Sequence, residues 1–191
     1  MPILVVRKRK KPDPLLLQRS DVEIFDVTYN GPRPWLKFSP FYPHGSIPVP
    51  LSPGYVAASV EAIWHGLAVF DNVDIDTSAF AIATMSGLKR AARGRSATRG
   101  YRAGVNGATV LTLREARYHI YLPAYRWVFD NCVQWELELL QSLSLTQTVI
   151  LLDYETNADP DDLSRSLSAA ALVARYLANQ WPYLEGPIES T

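Results

Sequence analysis

The sequence has few of the features that would place a protein outside the cell or in a membrane. Cys132 is its single cysteine, so the chain alone forms neither a disulfide nor a cluster of thiolate ligands. It has no run of about 18 apolar residues, and its first apolar stretch, residues 3–6, precedes a basic run at 7–11 instead of following one. We therefore expect a cytoplasmic protein with no membrane span and no secretory signal.

Motifs for metals and cofactors are also missing. The three histidines, His44, His65 and His119, do not have the spacing of zinc ligands. The glycines of residues 100–107 fit no dinucleotide fingerprint, and no phosphate-binding loop of the Walker type is present. We expect no metal and no cofactor.

Charge is balanced overall but segregated along the chain. Residues 1–135 carry 17 Lys and Arg against 10 Asp and Glu, whereas residues 136–191 carry 2 against 9. Two basic segments stand out, and basic segments of this kind bind phosphates, although a solvated tail and loop would have the same composition. Their members are Arg7, Lys8, Arg9, Lys10 and Lys11, then Lys89, Arg90, Arg93, Arg95, Arg99 and Arg102.

Hydrophobic periodicity predicts an α+β fold, a single compact domain over residues 15–191 that is mainly helical with a small sheet, preceded by a basic flexible arm at residues 1–14. Strands are expected at residues 22–28, 80–84 and 148–153, the last buried on both faces because it lacks alternation. A first helix is expected to begin at Ser52 and Pro53, and a second at the capping box Thr112–Glu115. The second should kink or restart at Pro123 and continue to about residue 143, with Trp127, Cys132 and Trp135 inward. A final helix is expected over residues 163–180.

A proline-rich segment separates the first strand from the first helix. Residues 30–53 contain seven prolines and four aromatic residues, among them Phe38. Prolines exclude regular helix and central strand here. The segment is either the wall of a pocket or a loop packed over the core.

The clearest candidate for chemistry is the end of the buried strand. Asp153, Glu155 and Asn157 alternate, so in extended chain their side chains lie on one side and converge. A buried carboxylate is costly unless it is paired, which makes such a cluster a functional candidate. The alternative is a turn whose Asp and Asn cap the next helix. Glu61, on the first helix, is a second candidate, although an exposed helical glutamate is the ordinary case.

The candidate residues are carboxylates, amides, aromatics and arginines, with no obvious nucleophile among them. This set suits the cleavage of an N-glycosidic bond. The sugar becomes cationic as the base leaves, and a carboxylate stabilises that charge or activates water. Aromatic rings and amides hold the base, and arginines hold phosphates.

The sequence resembles the NADAR superfamily of N-glycosidases in order over about residues 36–157. The resemblance rests on Phe38-Ser39-Pro40-Phe41, on the segment from Ser59-Val60-Glu61 to Phe70, and on Gly87-Leu88-Lys89-Arg90. Ala62 and Val69 stand where that family usually has His and Lys, so ligand contacts through those two positions do not carry over.

A closer resemblance is to a group of bacterial and phage domains that includes an antiphage DNA glycosylase acting on glucosylated hydroxymethylcytosine. It is carried by residues 38–45, 101–107, 114–118, 121–127 and 151–157, the last being Leu-Leu-Asp-Tyr-Glu-Thr-Asn. The resemblance implies cleavage of a modified base from phage DNA, with Asp153 and Glu61 as catalytic carboxylates. It implies substrate contacts at Phe38, Ser39, Trp64, Asn106, Tyr121, Tyr125, Trp127, Tyr154, Glu155 and Asn157, and contacts of the two basic segments with the DNA backbone.

Two other functions remain open at this point. The same pocket would serve a small-molecule N-glycosidase that acts on ADP-ribose conjugates or nucleotide-like metabolites. A non-catalytic nucleotide- or DNA-binding module would need the same aromatic and basic residues. The sequence does not indicate an oligomeric state.

Overall fold

The computed structural model describes residues 2–8, 19–91 and 98–184, with the backbone alone for residues 89–91. Its strands are β1 Ile3–Arg7, β2 Val22–Asp26, β3 Ile47–Pro48, β4 Val56–Ala57, β5 Ala68–Val69, β6 Gly100–Arg102, β7 Val110–Leu111 and β8 Thr148–Asp153. Its α-helices are α1 Val60–Gly66, α2 Met85–Ala91, α3 Leu113–Ala116, α4 Leu122–Asn131, α5 Gln134–Ser144 and α6 Ala169–Leu177. Two 3-10 turns, Trp35–Phe38 and Thr77–Ala81, and a π-helical turn, Arg117–Tyr121, complete the described elements.

β8 is the middle strand of a three-stranded parallel sheet, with β1 on one side and β2 on the other. Val149 and Leu151 are fully buried, as the unbroken apolar run predicted. The strand predicted at residues 22–28 is confirmed as β2. In a parallel sheet all strands end at one edge, so Arg7, Asp26 and Asp153 lie near one another there.

The prediction of a flexible arm at residues 1–14 is wrong for residues 3–7. Residues 3–7, expected to be loosely attached, form β1 and pair with β8 from Val149 to Asp153. The pairing partner is almost the whole chain away, so local composition could not indicate it. Residues 9–18 lie outside the described ranges.

The first helix begins later than predicted. Leu51 and Gly54, on either side of Ser52 and Pro53, have positive φ angles of 57° and 84°. These angles turn the chain and prevent a helix from starting at Ser52. α1 instead starts after Ser59, whose hydroxyl accepts a hydrogen bond from the Ala62 amide at 3.0 Å. The segment expected as a strand at residues 80–84 is also different, because most of it belongs to the second 3-10 turn and the loop after it.

The predicted capping box is confirmed, since Thr112 and Glu115 exchange both hydrogen bonds at the start of α3. The predicted restart at Pro123 is confirmed, because α4 begins at Leu122 with Pro123 in its first turn. The π-helical turn comes just before it, with the Leu122 amide donating to the Arg117 carbonyl, five residues back. The continuation ends at Asn131 and resumes as α5, where Trp135 is 61% exposed and not inward as predicted.

The final helix is shorter than predicted. α6 starts only at Ala169, and residues 154–168 form a loop that connects it to β8. The described chain is a single domain of the α+β class with one main hydrophobic core, as expected. No described helix is both long and apolar enough to span a bilayer.

Candidate functional site

The Asp153 carboxylate joins the end of β8 to the start of α6. Its Oδ2 atom accepts hydrogen bonds from the Ser168 hydroxyl at 2.7 Å and the Ala170 amide at 3.2 Å, and its Oδ1 atom accepts one from the Tyr154 amide at 2.7 Å. Burial nevertheless raises the pKa of Asp153 above its ordinary value, because desolvation outweighs these donors. Two of the three hydrogen bonds of Asp153 are to the start of α6, so most of its contacts agree with the alternative that it caps the next helix.

The three polar side chains after β8 do not converge as predicted. Glu155 pairs with Arg7 across 2.8 Å at the edge of the sheet. Asn157 is 3% exposed and points into its own loop, donating to the carbonyls of Asp162 and Arg165 and accepting from the Asp159 amide. The reason is that the chain leaves the extended conformation after Asp153, so alternation no longer holds.

Asp153 and Glu155 do share a cavity, which we call the strand-end pocket. It has a volume of about 180 Å³ and opens at the carboxyl edge of the parallel sheet, the edge where α/β folds commonly bind ligands. The predicted contacts Ser39 and Tyr154 also line it. Its full lining is Val27, Thr28, Tyr29, Ser39, Pro40, Phe41, Asp153, Tyr154, Glu155, Ser166, Leu167 and Ala169.

A larger cavity, the main pocket, lies on the other side of Ser166 and Leu167. Its volume is about 340 Å³, at the lower end of the range for small-molecule sites. Three predicted residues, Glu61, Trp64 and Tyr121, line it. The other lining residues are Tyr101, Leu113, Arg117, Leu163, Ser164, Arg165, Ser166 and Leu167.

Glu61 projects into the main pocket from the first turn of α1. Its carboxylate Oε1 lies 3.2 Å from His65 Nε2, one helical turn on, and the two side chains are only 15% and 16% exposed. The contact with His65 thus restricts the orientation of the Glu61 carboxylate. Sequence reasoning missed this partner because it tested the histidines as metal ligands only, although an i, i+4 Glu–His pair was visible.

Aromatic rings form one wall of the main pocket. Trp64 lies against Tyr101 with ring centroids 3.9 Å apart and planes at 31°, and its edge meets Tyr121 at 5.4 Å. Burial and the negative charge of Glu61 raise the pKa of both tyrosine hydroxyls, so both remain protonated donors at neutral pH. Asp153 adds to the shift of Tyr121, which places this phenol within electrostatic range of both candidate carboxylates.

Arg117 also lines the main pocket, together with the loop that it holds. Only 5% exposed, it donates to the carbonyls of Pro160, Asp162 and Arg165 at 2.6 to 3.0 Å. Burial lowers the pKa of this guanidinium from its ordinary value. Sequence reasoning missed Arg117; the signal available was an arginine on the apolar side of a helix that begins at Thr112.

Five predicted substrate contacts line neither pocket, and Asn157, which points into its own loop, is one of them. Phe38 and Tyr125 are completely buried in the core, where the Tyr125 hydroxyl donates to the Phe38 carbonyl, so neither ring can stack on a ligand. Trp127 packs against the same core, and Asn106 is exposed on a loop away from both pockets.

The predicted phosphate-binding residues are largely paired where they are described. Lys8 contacts Asp26 at 2.6 Å, Arg99 contacts Asp71 at 2.6 Å, and Arg102 contacts Asp74 at 2.7 Å, while Arg7 pairs with Glu155. The pairs of Arg7, Arg99 and Arg102 each have one partner that is more than half exposed, and such pairs are weak. The described part of the chain does not include Arg9, Lys10, Lys11, Arg93 and Arg95, or the side chains of Lys89 and Arg90.

Within the described ranges, no three His, Cys, Asp or Glu side chains lie close enough together to hold a metal ion. His119 has its Nε2 atom buried without a hydrogen-bond partner, but it lines neither pocket.

The chain belongs to a family of unknown function, DUF6939, which matches residues 7–173 and so includes every residue of both pockets. No curated protein and no solved structure is significantly similar to it.

Proposed function

We propose that the protein is an N-glycosidase that hydrolyses the bond between a modified base and deoxyribose in phage DNA, in the cytoplasm, with Glu61 as the catalytic carboxylate. The observation that carries this proposal is the Glu61–His65 pair in a cleft with a stacked aromatic wall. A carboxylate held in one orientation can stabilise the cationic sugar or activate water, and aromatic rings beside it can bind a planar base. The resemblance to NADAR N-glycosidases supports the same chemistry.

In this mechanism the base enters the main pocket flipped out of the helix and lies against Trp64 and Tyr101. The C1′–N bond breaks, its electron pair leaves with the base, and the base takes a proton from solvent. Glu61 stabilises the cationic sugar and accepts a proton from the water that attacks C1′. The products are the free base and an abasic sugar.

Asp153 is assigned a supporting part in this proposal. Two of its three hydrogen bonds come from the Ser168 hydroxyl and the Ala170 amide at the start of α6, and it lines the smaller pocket. It therefore positions the loop between the two pockets and does not contact the scissile bond.

The experiment is to incubate the protein with glucosylated phage DNA and with unmodified DNA, and to measure released base and abasic sites by mass spectrometry. Base release from modified DNA supports the proposal, and Glu61→Gln should reduce its rate about a thousandfold. Glu138→Gln is the matched control, since Glu138 is an exposed glutamate on α5. Equal activity of Glu61→Gln and wild type would contradict the assignment.

A small-molecule N-glycosidase is the second candidate, and the ion pairs of Arg7, Lys8, Arg99 and Arg102 favour it. Deleting the N-terminus would remove β1, so the two substrates are better separated by changing Arg9, Lys10 and Lys11 to Gln. If this variant loses activity on DNA but keeps activity on small molecules, the substrate is DNA. Binding of the wild type to DNA should then fall steeply as the salt concentration rises. Turnover of nucleosides or ADP-ribose conjugates without any on DNA indicates the second candidate.

A further inference from the structure

Arg117 brings a buried positive charge to the main pocket. It lines the cavity although the residue is only 5% exposed. Among the described residues no carboxylate forms an ion pair with it, and the side chain of the neighbouring Asp162 pairs with Arg165 instead. The guanidinium is held by carbonyl groups alone, whereas a buried ion is usually paired with an opposite charge. A ligand that carries negative charge would therefore complement this side of the pocket.

The guanidinium also has hydrogen-bond donors left for a ligand. An arginine side chain carries five N–H groups. Both N–H groups of Nη1 donate to the protein, to the carbonyls of Pro160 and Asp162, and one N–H of Nη2 donates to that of Arg165. The second N–H of Nη2 and the N–H of Nε have no acceptor in the part of the chain that the structure describes. These two donors remain for a group bound in the main pocket.

The main pocket contains a negative charge as well, and the two charges do not neutralise each other. Within the described ranges, Glu61 contacts His65 at 3.2 Å and forms no ion pair with Arg117. Both charges nevertheless act on Tyr101, because burial and Glu61 raise the pKa of its hydroxyl whereas Arg117 lowers it. The aromatic wall of Trp64 and Tyr101 is therefore within electrostatic range of a carboxylate and of a separate guanidinium.

Cleavage of an N-glycosidic bond separates charge in the same way. When the C1′–N bond breaks, the sugar becomes cationic and the bonding electron pair gives the base a negative charge. In a pyrimidine this charge is shared between the ring nitrogen and the adjacent carbonyl oxygen. Groups that stabilise charge as it develops lower the barrier. Glu61 has the charge that suits the sugar, and Arg117 has the charge and the remaining donors that suit the base.

We propose that Arg117 is a second catalytic residue, which donates hydrogen bonds to the carbonyl oxygen of the departing base and stabilises its negative charge until a proton from solvent neutralises it. This inference rests on the proposed function, because it concerns the leaving group of that reaction. It gives Arg117 a part other than phosphate binding. It also restricts the substrate to bases that have a carbonyl group next to the glycosidic nitrogen, which are pyrimidines.

The test varies the leaving group in oligonucleotides that carry glucosylated hydroxymethylcytosine or glucosylated hydroxymethyluracil at one position. A uracil anion is more stable than a cytosine anion, so its departure needs less help from the enzyme. Arg117→Gln removes the charge and keeps an amide donor for the loop. We expect it to lower the single-turnover rate about a hundredfold for the cytosine substrate and about tenfold for the uracil substrate. The ratio of the two rates then changes about tenfold, whatever fraction of the variant is folded.

Asn157→Ala is the matched control, because the Asn157 amide donates to the same Asp162 and Arg165 carbonyls without lining the main pocket. It loosens the loop without altering the charge in the pocket, so it should lower both rates by the same factor. Arg117→Lys restores the charge and should recover part of the change in the ratio. If Arg117→Gln lowers both rates equally, Arg117 only holds the loop or a phosphate, and the proposal is overturned.

Failure of the proposed function gives a different result. If the wild type releases no base from either oligonucleotide, the N-glycosidase is contradicted, and the charge of the pocket is tested by calorimetry. The ligands are 5-nitrouracil at mildly alkaline pH, where it is an anion, and uracil, which is neutral there. Binding of 5-nitrouracil about tenfold tighter than uracil, with this preference lost in Arg117→Gln and kept in Asn157→Ala, supports an anion-binding Arg117 without the reaction. Equal binding of the two ligands, or none, overturns that part too.

Discussion

The Ser168 hydroxyl donates to Asp153 at 2.7 Å and at the same time accepts a hydrogen bond from the Ala171 amide at 3.1 Å. Ser168 is thus both the N-cap of α6 and the link from that helix to the end of β8. Because Ser166 and Leu167 immediately precede it, this pair also fixes the wall between the two pockets.

Ser168→Ala removes both hydrogen bonds of this link. We expect the free energy of unfolding to fall by about 1–2 kcal/mol, the usual cost of losing a helix N-cap. Urea denaturation measures it. Ser142→Ala, at an exposed serine on α5, should change stability by less than about 0.5 kcal/mol; a comparable loss in both variants would contradict the capping role.

The raised pKa of Asp153 makes part of the stability depend on pH. Burial disfavours the ionised carboxylate. The contribution of this group is therefore fully present below the unfolded-state pKa of about 3.9 and is lost as pH rises through the higher folded-state pKa.

Asp153→Asn removes this titration. We expect the free energy of unfolding of the wild type, relative to that of the variant, to fall as pH rises from about 3.5 to 7. Parallel urea titrations at both pH values measure it, and titrations shared by the two proteins cancel. A difference that is constant, or that moves in the wild type's favour as pH rises, would contradict a raised pKa.

Arg117 holds the loop over the main pocket through three carbonyl groups. Arg117→Met leaves the Pro160 carbonyl without its donor and the Asp162 and Arg165 carbonyls with the Asn157 amide only, and should destabilise the protein by about 3 kcal/mol. The loop should then open locally, and trypsin should cleave after Arg165 faster than in the wild type.

Arg114→Met is the matched control for that loop. Arg114 reaches the same loop through one exposed ion pair with Asp161 at 2.7 Å, and such pairs contribute about 0–1 kcal/mol. Its cleavage rate at Arg165 should stay close to the wild type. If both variants are cleaved equally fast, the buried hydrogen bonds of Arg117 are not what closes the loop.

The features that the sequence predicted correctly depend on neighbouring residues. The capping box needs only Thr112 and Glu115, and the buried strand needs only the apolar run before Asp153. The helix start at Ser52 had an equally good local signal, but the positive φ angles of Leu51 and Gly54 overrode it.

The pockets depend on residues that are distant in the chain. The main pocket takes Glu61 from α1, Arg117 from the π-helical turn and Leu163 from the loop before α6, and no periodicity connects these segments. Asn157 was misplaced because alternation was extended past the point where the strand ends. Each of the two proposed catalytic carboxylates lines a pocket. The resemblance implied that they share one site, whereas Glu61 lines the main pocket and Asp153 the strand-end pocket.

His65 is expected to act through Glu61, so its substitution tests the proposed chemistry from one step away. His65→Leu removes the group 3.2 Å from the carboxylate and should lower kcat about tenfold to a hundredfold, while KM changes little, because the aromatic wall that binds the base is intact. His65→Gln retains an N–H donor near the same place and should recover most of the lost rate. A merely structural role would instead lower the stability of both variants and leave kcat per folded molecule unchanged. Steady-state kinetics on modified DNA, with the folded fraction measured by circular dichroism, separates the two results, and an unaltered kcat in His65→Leu would show that Glu61 does not need this partner.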